Sequence, residues 1–218
     1  MPPADAPPSP ADAWDRFERF LAEHLPVLAA DLAAGTSEAG LDAVAEHVGA
    51  ASPDPFAALY RRHDGQRSPA PGLFFGLRFL PSSEAARERD RWASLLHDDP
   101  ALATDIEVTA VPPRAVAPVY ASPAWVPFAS DGAGNHLAID LGPGPEGTPG
   151  HVISFGADEA TRYVLALSAA HFLDWCARQC DGGRAEVAPD PDAPGGLGLR
   201  LAGGQTLLDA VPSLFGPR

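Results

Sequence analysis

Each group of residues in this 218-residue chain that could do chemistry lacks a part its chemistry needs. Asp131-Gly132-Ala133-Gly134-Asn135, with Asp140 beyond, offers oxygens to a cation but has neither the ligand spacing nor the closing Glu of a calcium loop. The same residues read better as a tight turn, in which Asp131 and Asn135 bond nearby backbone and the glycines sit where φ is positive. Gly142-Pro143-Gly144-Pro145-Glu146-Gly147 spells a dinucleotide fingerprint after a strand. Two prolines remove donors there and the chain continues to a strand at His151 instead of a helix, so a hairpin loop is expected. Cys176 and Cys180 are the only cysteines, one helical turn apart, which is too wide for a relaxed disulfide. His171 points elsewhere on that helix, and a metal site would need more ligands. The remaining histidines, His24, His47, His63, His97, His136 and His151, form no metal-binding spacing on an obvious helix. No Gly-x-Ser-x-Gly elbow occurs. A catalytic site assembled only in three dimensions remains open, since such sites need no local signature.

All 15 basic residues are arginine, which removes Schiff-base, P-loop, kinase-type and Ser-x-x-Lys chemistries, each of which needs an amine. With 29 acidic residues the formal charge is −14, which repels phosphate backbones and anionic lipid and attracts a basic partner. No direct nucleic-acid binding is expected, and no cofactor or metal. The apolar stretches are far shorter than the roughly 20 residues of a membrane helix, and Met-Pro-Pro-Ala-Asp has no signal-peptide character. A cytoplasmic protein with free thiols follows, not bound to membrane.

The elements that must position these groups can be read from spacing. Residues 1–10 are expected to be disordered up to Ser9-Pro10-Ala11-Asp12, which has the form of a helix cap. Trp14, Phe17, Leu21, Leu25 and Leu28 make one apolar helical face, divided by Pro26. Thr36-Ser37-Glu38 starts a helix carrying Leu41, Val44 and Val48, and Asp54-Pro55 starts another with Phe56, Leu59 and Tyr60, ending at Asp64-Gly65. The apolar run Leu73 to Leu80 predicts a first strand buried on both sides. Ser82 is expected to cap a helix whose Glu84, Arg87, Glu88 and Arg91 form a solvated face, while Trp92, Leu95 and Leu96 hold it to the core. Residues 100–114 read as an extended loop. Val116 to Tyr120 and Trp125 to Phe128 read as short strands that proline keeps near an edge or bulge. In the next strand, Leu137, Ile139 and Leu141 share one face and His136, Ala138 and Asp140 the other. Internal bonds are expected for Asp140, and solvent or partner contact for His136, on a concave surface with Asp131 and Gln66. Val152 to Phe155 and Tyr163 to Leu167 are further strands, followed by a helix over 169–179. The tail is expected to hold strands at 185–188 and 197–201 and a helix near 206–211.

The order Asp64-Gly65-Gln66, then Trp125 through the Asp131-Gly132 turn to Phe155, then Phe172-Leu173-Asp174-Trp175 on a helix, resembles the SUKH superfamily and specifically its Smi/Knr branch of cell-wall assembly regulators. Ala51-Ser52-Pro53-Asp54-Pro55 departs from that pattern, which usually has a Leu-Pro pair there. The resemblance implies an α+β domain over 11–180, a twisted and mostly antiparallel sheet packed with N-terminal helices and a later helix, with 181–218 as an extension packed on it. It carries over Asp64, Gly65, Gln66, Trp125, Pro127, Phe128, Asp131, Gly132, Gly134, Asn135 and Asp140 as hallmark-turn or partner-binding positions, to which strand alternation adds His136. Bacterial members resemble immunity proteins, so the resemblance implies a non-catalytic protein-binding domain, most concretely an immunity-type protein that neutralises a basic toxin partner. A regulatory scaffold linked to cell-wall synthesis is the alternative, and an unrecognised hydrolase the third.

Overall fold

A computed structural model describes residues 8–70, 72–103 and 107–217. The disorder expected of the first residues falls largely on 1–7, outside the described residues. Ser9 Oγ accepts from the Asp12 amide and opens α1, Pro10–His24, and Pro26 breaks the helix so that α2, Pro26–Asp31, starts anew. Ser37 caps α3, Glu38–Val48, and α4 spans Asp54–Tyr60. Trp14, Phe17, Leu21 and Leu28 point inward as their spacing predicts.

The sheet runs β1 (Arg78–Phe79), β3 (Trp125–Ser130), β4 (Asn135–Asp140), β5 (His151–Gly156), β6 (Thr161–Ala166) and β2 (Thr109–Val111), and every pairing is antiparallel except β2 with β6. The α+β class is as expected. Between β1 and β2 lies α5, Ser82–Asp98; after β6 come α6, Ala169–Asp181, then β7 (Ala185–Pro189) and β8 (Leu197–Leu201) as a separate antiparallel pair, and α7, Leu207–Phe215. Leu199, Leu201, Leu207 and Val211 join the same core as the N-terminal helices.

Three expectations need correction. Leu73 to Leu77 is not a strand: the chain reverses through Phe75 (φ +51°) and Gly76 (φ +96°), with Phe74 and Leu77 exchanging both backbone bonds. Its side chains are apolar because the whole turn is driven into the core, and an apolar run reads alike for a buried strand and a buried turn. Val116 to Tyr120 forms no strand; it packs as irregular chain under the sheet, held where the Gly144 amide reaches the Ala115 carbonyl. Residues 100–114 are not all loop, since they hold a short 3₁₀ helix at Pro100–Ala103 and the parallel strand β2. Proline does mark a bulge: the register shifts between Pro127 and Ala129, but inside the sheet, where β3 lies between β1 and β4.

Alternation divides the sheet into two buried faces. Leu137, Ile139, Val152 and Phe128 meet the helices and the 73–77 turn in a large core. On the other face, Trp125, Ala138, Ile153 and Phe155 meet Trp92 of α5 together with Val116 and Tyr120 in a smaller one.

Candidate functional site

The turn between β3 and β4 is built by Asp131. Its Oδ1 accepts from the amides of Ala133 (2.7 Å) and Asn135 (3.0 Å), and its Oδ2 from Asn135 Nδ2 (2.8 Å). Gly132 and Gly134 take φ +77° and +106°, which side chains rarely tolerate. The carboxylate is thus committed to backbone and amide donors, as the turn reading expects.

Asp64, Gly65 and Gln66 lie elsewhere. Asp64 Oδ1 accepts from the Ser82 amide at 2.7 Å, so it, and not the Ser82 side chain, caps α5; the residue at the cap position is Pro81. A Cβ on Gly65 would stand 2.3 Å from Pro81 N, which only glycine avoids. Fully buried Gln66 accepts from the amides of Leu73 and Phe79 and donates to Asp31 and the Ala70 carbonyl. These residues tie the N-terminal helices to the 73–77 turn and to α5, and Gln66 shares no surface with Asp131.

His136 is not at the surface: it is 2% exposed, stacked on Phe155 and edge-on to Trp92, with Nε2 3.4 Å from Glu88 Oε1. The expected polar sheet face is instead covered by α5 and the 113–124 segment. Asp140 is fully buried and accepts from the Gly142 amide, as expected of an internal group. Burial raises its carboxyl to about 6, against the pull of the Gly142 amide. Arg162, also fully buried, donates to the carbonyls of Tyr120 and Glu159 and lies over the rings of Tyr120 and Trp125; burial lowers it to about 10.

Between α5 and the Asp131 turn opens a cleft of about 600 Å³. Of the residues singled out from sequence, Asp131, Gly132, Gly134 and His136 line it; Trp125, Pro127, Phe128, Asn135 and Asp140 are not in its wall. The other wall is one face of α5, Glu84, Glu88, Arg91, Leu95 and Asp98 with Trp92 beside them, and Arg78 completes it. This face is not an ordinary solvated one. Glu84 pairs with Arg78 at 2.8 Å, and Glu88, only 15% exposed, pairs with Arg91 at 2.7 Å. His136, then Arg91, hold the Glu88 carboxyl below its usual range against burial. Leu95 does not anchor the helix; it is 40% exposed at the cleft. The three- and four-residue recurrence of these positions was a signal present in the sequence.

A histidine beside a carboxylate in a cleft is a hydrolase motif only if the imidazole can reach substrate. Here the ring is enclosed by Trp92 and Phe155, and a carboxylate held low is a weak base. Burial pushes the Cys176 thiol up and Cys180 to about 12, which disfavours either as nucleophile. Among the described residues no cluster of three or more His, Cys, Asp or Glu is arranged for a metal ion, and no helix is long and apolar enough to cross a membrane.

Fold and cleft together define an α+β domain with a polar and partly apolar groove beside a covered sheet. The chain belongs to the SMI1 / KNR4 family (SUKH-1), whose profile matches residues 35–175. It is 34% identical over 200 residues to the cell wall biosynthesis/cell cycle regulator smi1 of Schizosaccharomyces pombe, covering 87% of this chain and 40% of that protein. It is 31% identical to the glucan synthesis regulatory protein of Neurospora crassa (83% and 40% covered) and 28% identical to the cell wall assembly regulator SMI1 of Saccharomyces cerevisiae (83% and 42%). The chain therefore spans about two fifths of the length of these relatives.

Proposed function

We propose that this chain is a non-catalytic regulatory domain that docks a protein partner of cell-wall synthesis, using the cleft between α5 and the Asp131 turn. The observation that carries this reading is its similarity to fungal proteins named as regulators of cell wall and glucan synthesis. The cleft supports it with exposed Leu95 framed by charged groups, a mixed surface suited to a protein segment. The toxin-capture reading draws on the net charge of −14, which serves any basic partner equally. Proximity labelling in cells that make the protein, with wild type beside Leu95→Arg, tests the proposal. A wall- or glucan-synthesis protein enriched by wild type and lost from the variant supports it. Absence of such proteins, or enrichment indifferent to Leu95→Arg, overturns it, and a basic toxin as the captured partner would favour the other reading.

A further inference from the structure

We infer that the cleft selects a basic segment of its partner, one arginine or lysine side chain lying along Trp92 and Leu95 with its charge toward Asp98 and Asp131; this rests on the docking reading above. The charges of the wall do not cancel. Glu84 is matched by Arg78 and Glu88 by Arg91. The Asp98 side chain has no ion pair or hydrogen bond among the described residues, and the Asp131 carboxylate accepts only from neutral amides. Asp98 is also the last residue of α5, where the carbonyl end of the helix adds negative potential. An acidic ligand would face both carboxylates, and a neutral one would leave them unmatched.

Both arginines of the wall, Arg78 and Arg91, are engaged by its glutamates, which leaves Asp98 and Asp131 as its unneutralised charges among the described residues. Leu95, exposed at the cleft, and Trp92 in its wall offer apolar surface for the methylene stem of a basic side chain. The chain's net charge of −14 would draw a basic segment in from a distance.

The test is a titration of ¹⁵N-labelled protein with Ac-Gly-Leu-Arg-Leu-Gly-NH₂ and with the same peptide carrying Gln or Glu in place of Arg. The Arg peptide should shift the Trp92 indole and the Asp98 and Asp131 amides and bind about tenfold more tightly than the Gln peptide. Raised salt should weaken it, and Asp98→Arg should abolish the preference. Asp98 makes no bond that the fold needs, and an unchanged amide spectrum of the variant verifies this. Equal binding of the Gln or Glu peptide, shifts away from the cleft, or a second copy of the chain occupying it would each overturn the inference. A wall-synthesis partner lost from Leu95→Arg but indifferent to Asp98→Arg would sink this inference and leave the docking reading standing. Arg-selective binding without such a partner would do the reverse.

Discussion

The two faces of the central sheet are both buried but are held by different physics. Toward the helices, Leu137, Ile139 and Val152 meet Phe74, Phe128 and Phe172, whose rings lie 5.3–5.8 Å apart. Burial there is non-directional and any well-packed apolar set would serve. Toward α5, the aromatic cluster of Trp92, Trp125 and Phe155 meets His136 and Arg162, with Asp140 and His151 buried on the same face. Of the buried side-chain atoms without a hydrogen-bond partner among the described residues, Trp125 Nε1, His136 Nδ1, Asp140 Oδ2, His151 Nδ1 and Arg162 Nε lie on this face and Ser154 Oγ alone on the face of Leu137 and Val152. A face that holds unsatisfied polar atoms gives up stability, and such conflicts concentrate at functional surfaces. The cleft opens on that side.

The comparison predicts its largest effect on the apolar face. Phe74→Ala should cost about 3–5 kcal/mol in urea unfolding, because Phe74 is fully buried against four other phenylalanines, Phe17, Phe79, Phe128 and Phe172. A loss under about 1 kcal/mol would mean that this core collapses into the space and is packed less tightly than its rings suggest.

Gln66 sharpens the contrast, being a polar side chain on the helical side with both amide atoms bonded. Gln66→Leu would strand the buried amides of Leu73 and Phe79 and should cost about 4 kcal/mol, at roughly 2 per orphaned donor. Thermal melting close to wild type would show that the turn finds other acceptors.

On the polar face the sign reverses. The folded pKa of Asp140 is raised from 3.8 to about 6, so its contribution is fully present below the unfolded value and is lost as pH rises through about 6. At pH 7 and above the ionised, buried carboxylate should therefore cost up to about 3 kcal/mol. Asp140→Asn keeps an acceptor for the Gly142 amide and should stabilise the protein at pH 8 but hardly at pH 4. Equal effects at both pH values would show that Asp140 titrates normally.

Most of the apolar face was legible in the sequence, and what covers the polar one was not. Spacing located α1, the break at Pro26, β4 to β6 and α6, because helical and strand periods survive in apolar residues. The Asp131 turn was legible too, since Asp, Gly and Asn each have one local reason to be there. His136 was misplaced because alternation assigns a residue to a face and says nothing of what covers it. The covering element, α5, reads as a charged surface helix, and Glu88 looks identical in sequence whether its partner is the neighbouring Arg91 or a histidine on a distant strand. Leu73 to Leu77 failed for the converse reason, since uniform apolarity carries no period at all.

The smallest expected effect links the two faces. Asp64, on the helical side, holds the first turn of the helix that covers the other side, and Asp64→Ala should cost about 1 kcal/mol, the usual value of one cap. The loss should show locally, as faster hydrogen exchange at Ser82 and Glu84 without change at Asp98. Ala85 and Ala86 of α5 are buried in the large core while Trp92 is buried in the small one, so the helix is pinned beyond its first turn. If exchange rose along all of α5, the cap would be holding the whole helix, and the cleft wall would depend on a residue from the far side of the fold. Fraying confined to the first turn would leave Trp92 and Leu95 in place, and the cleft should then bind as it does in the wild type.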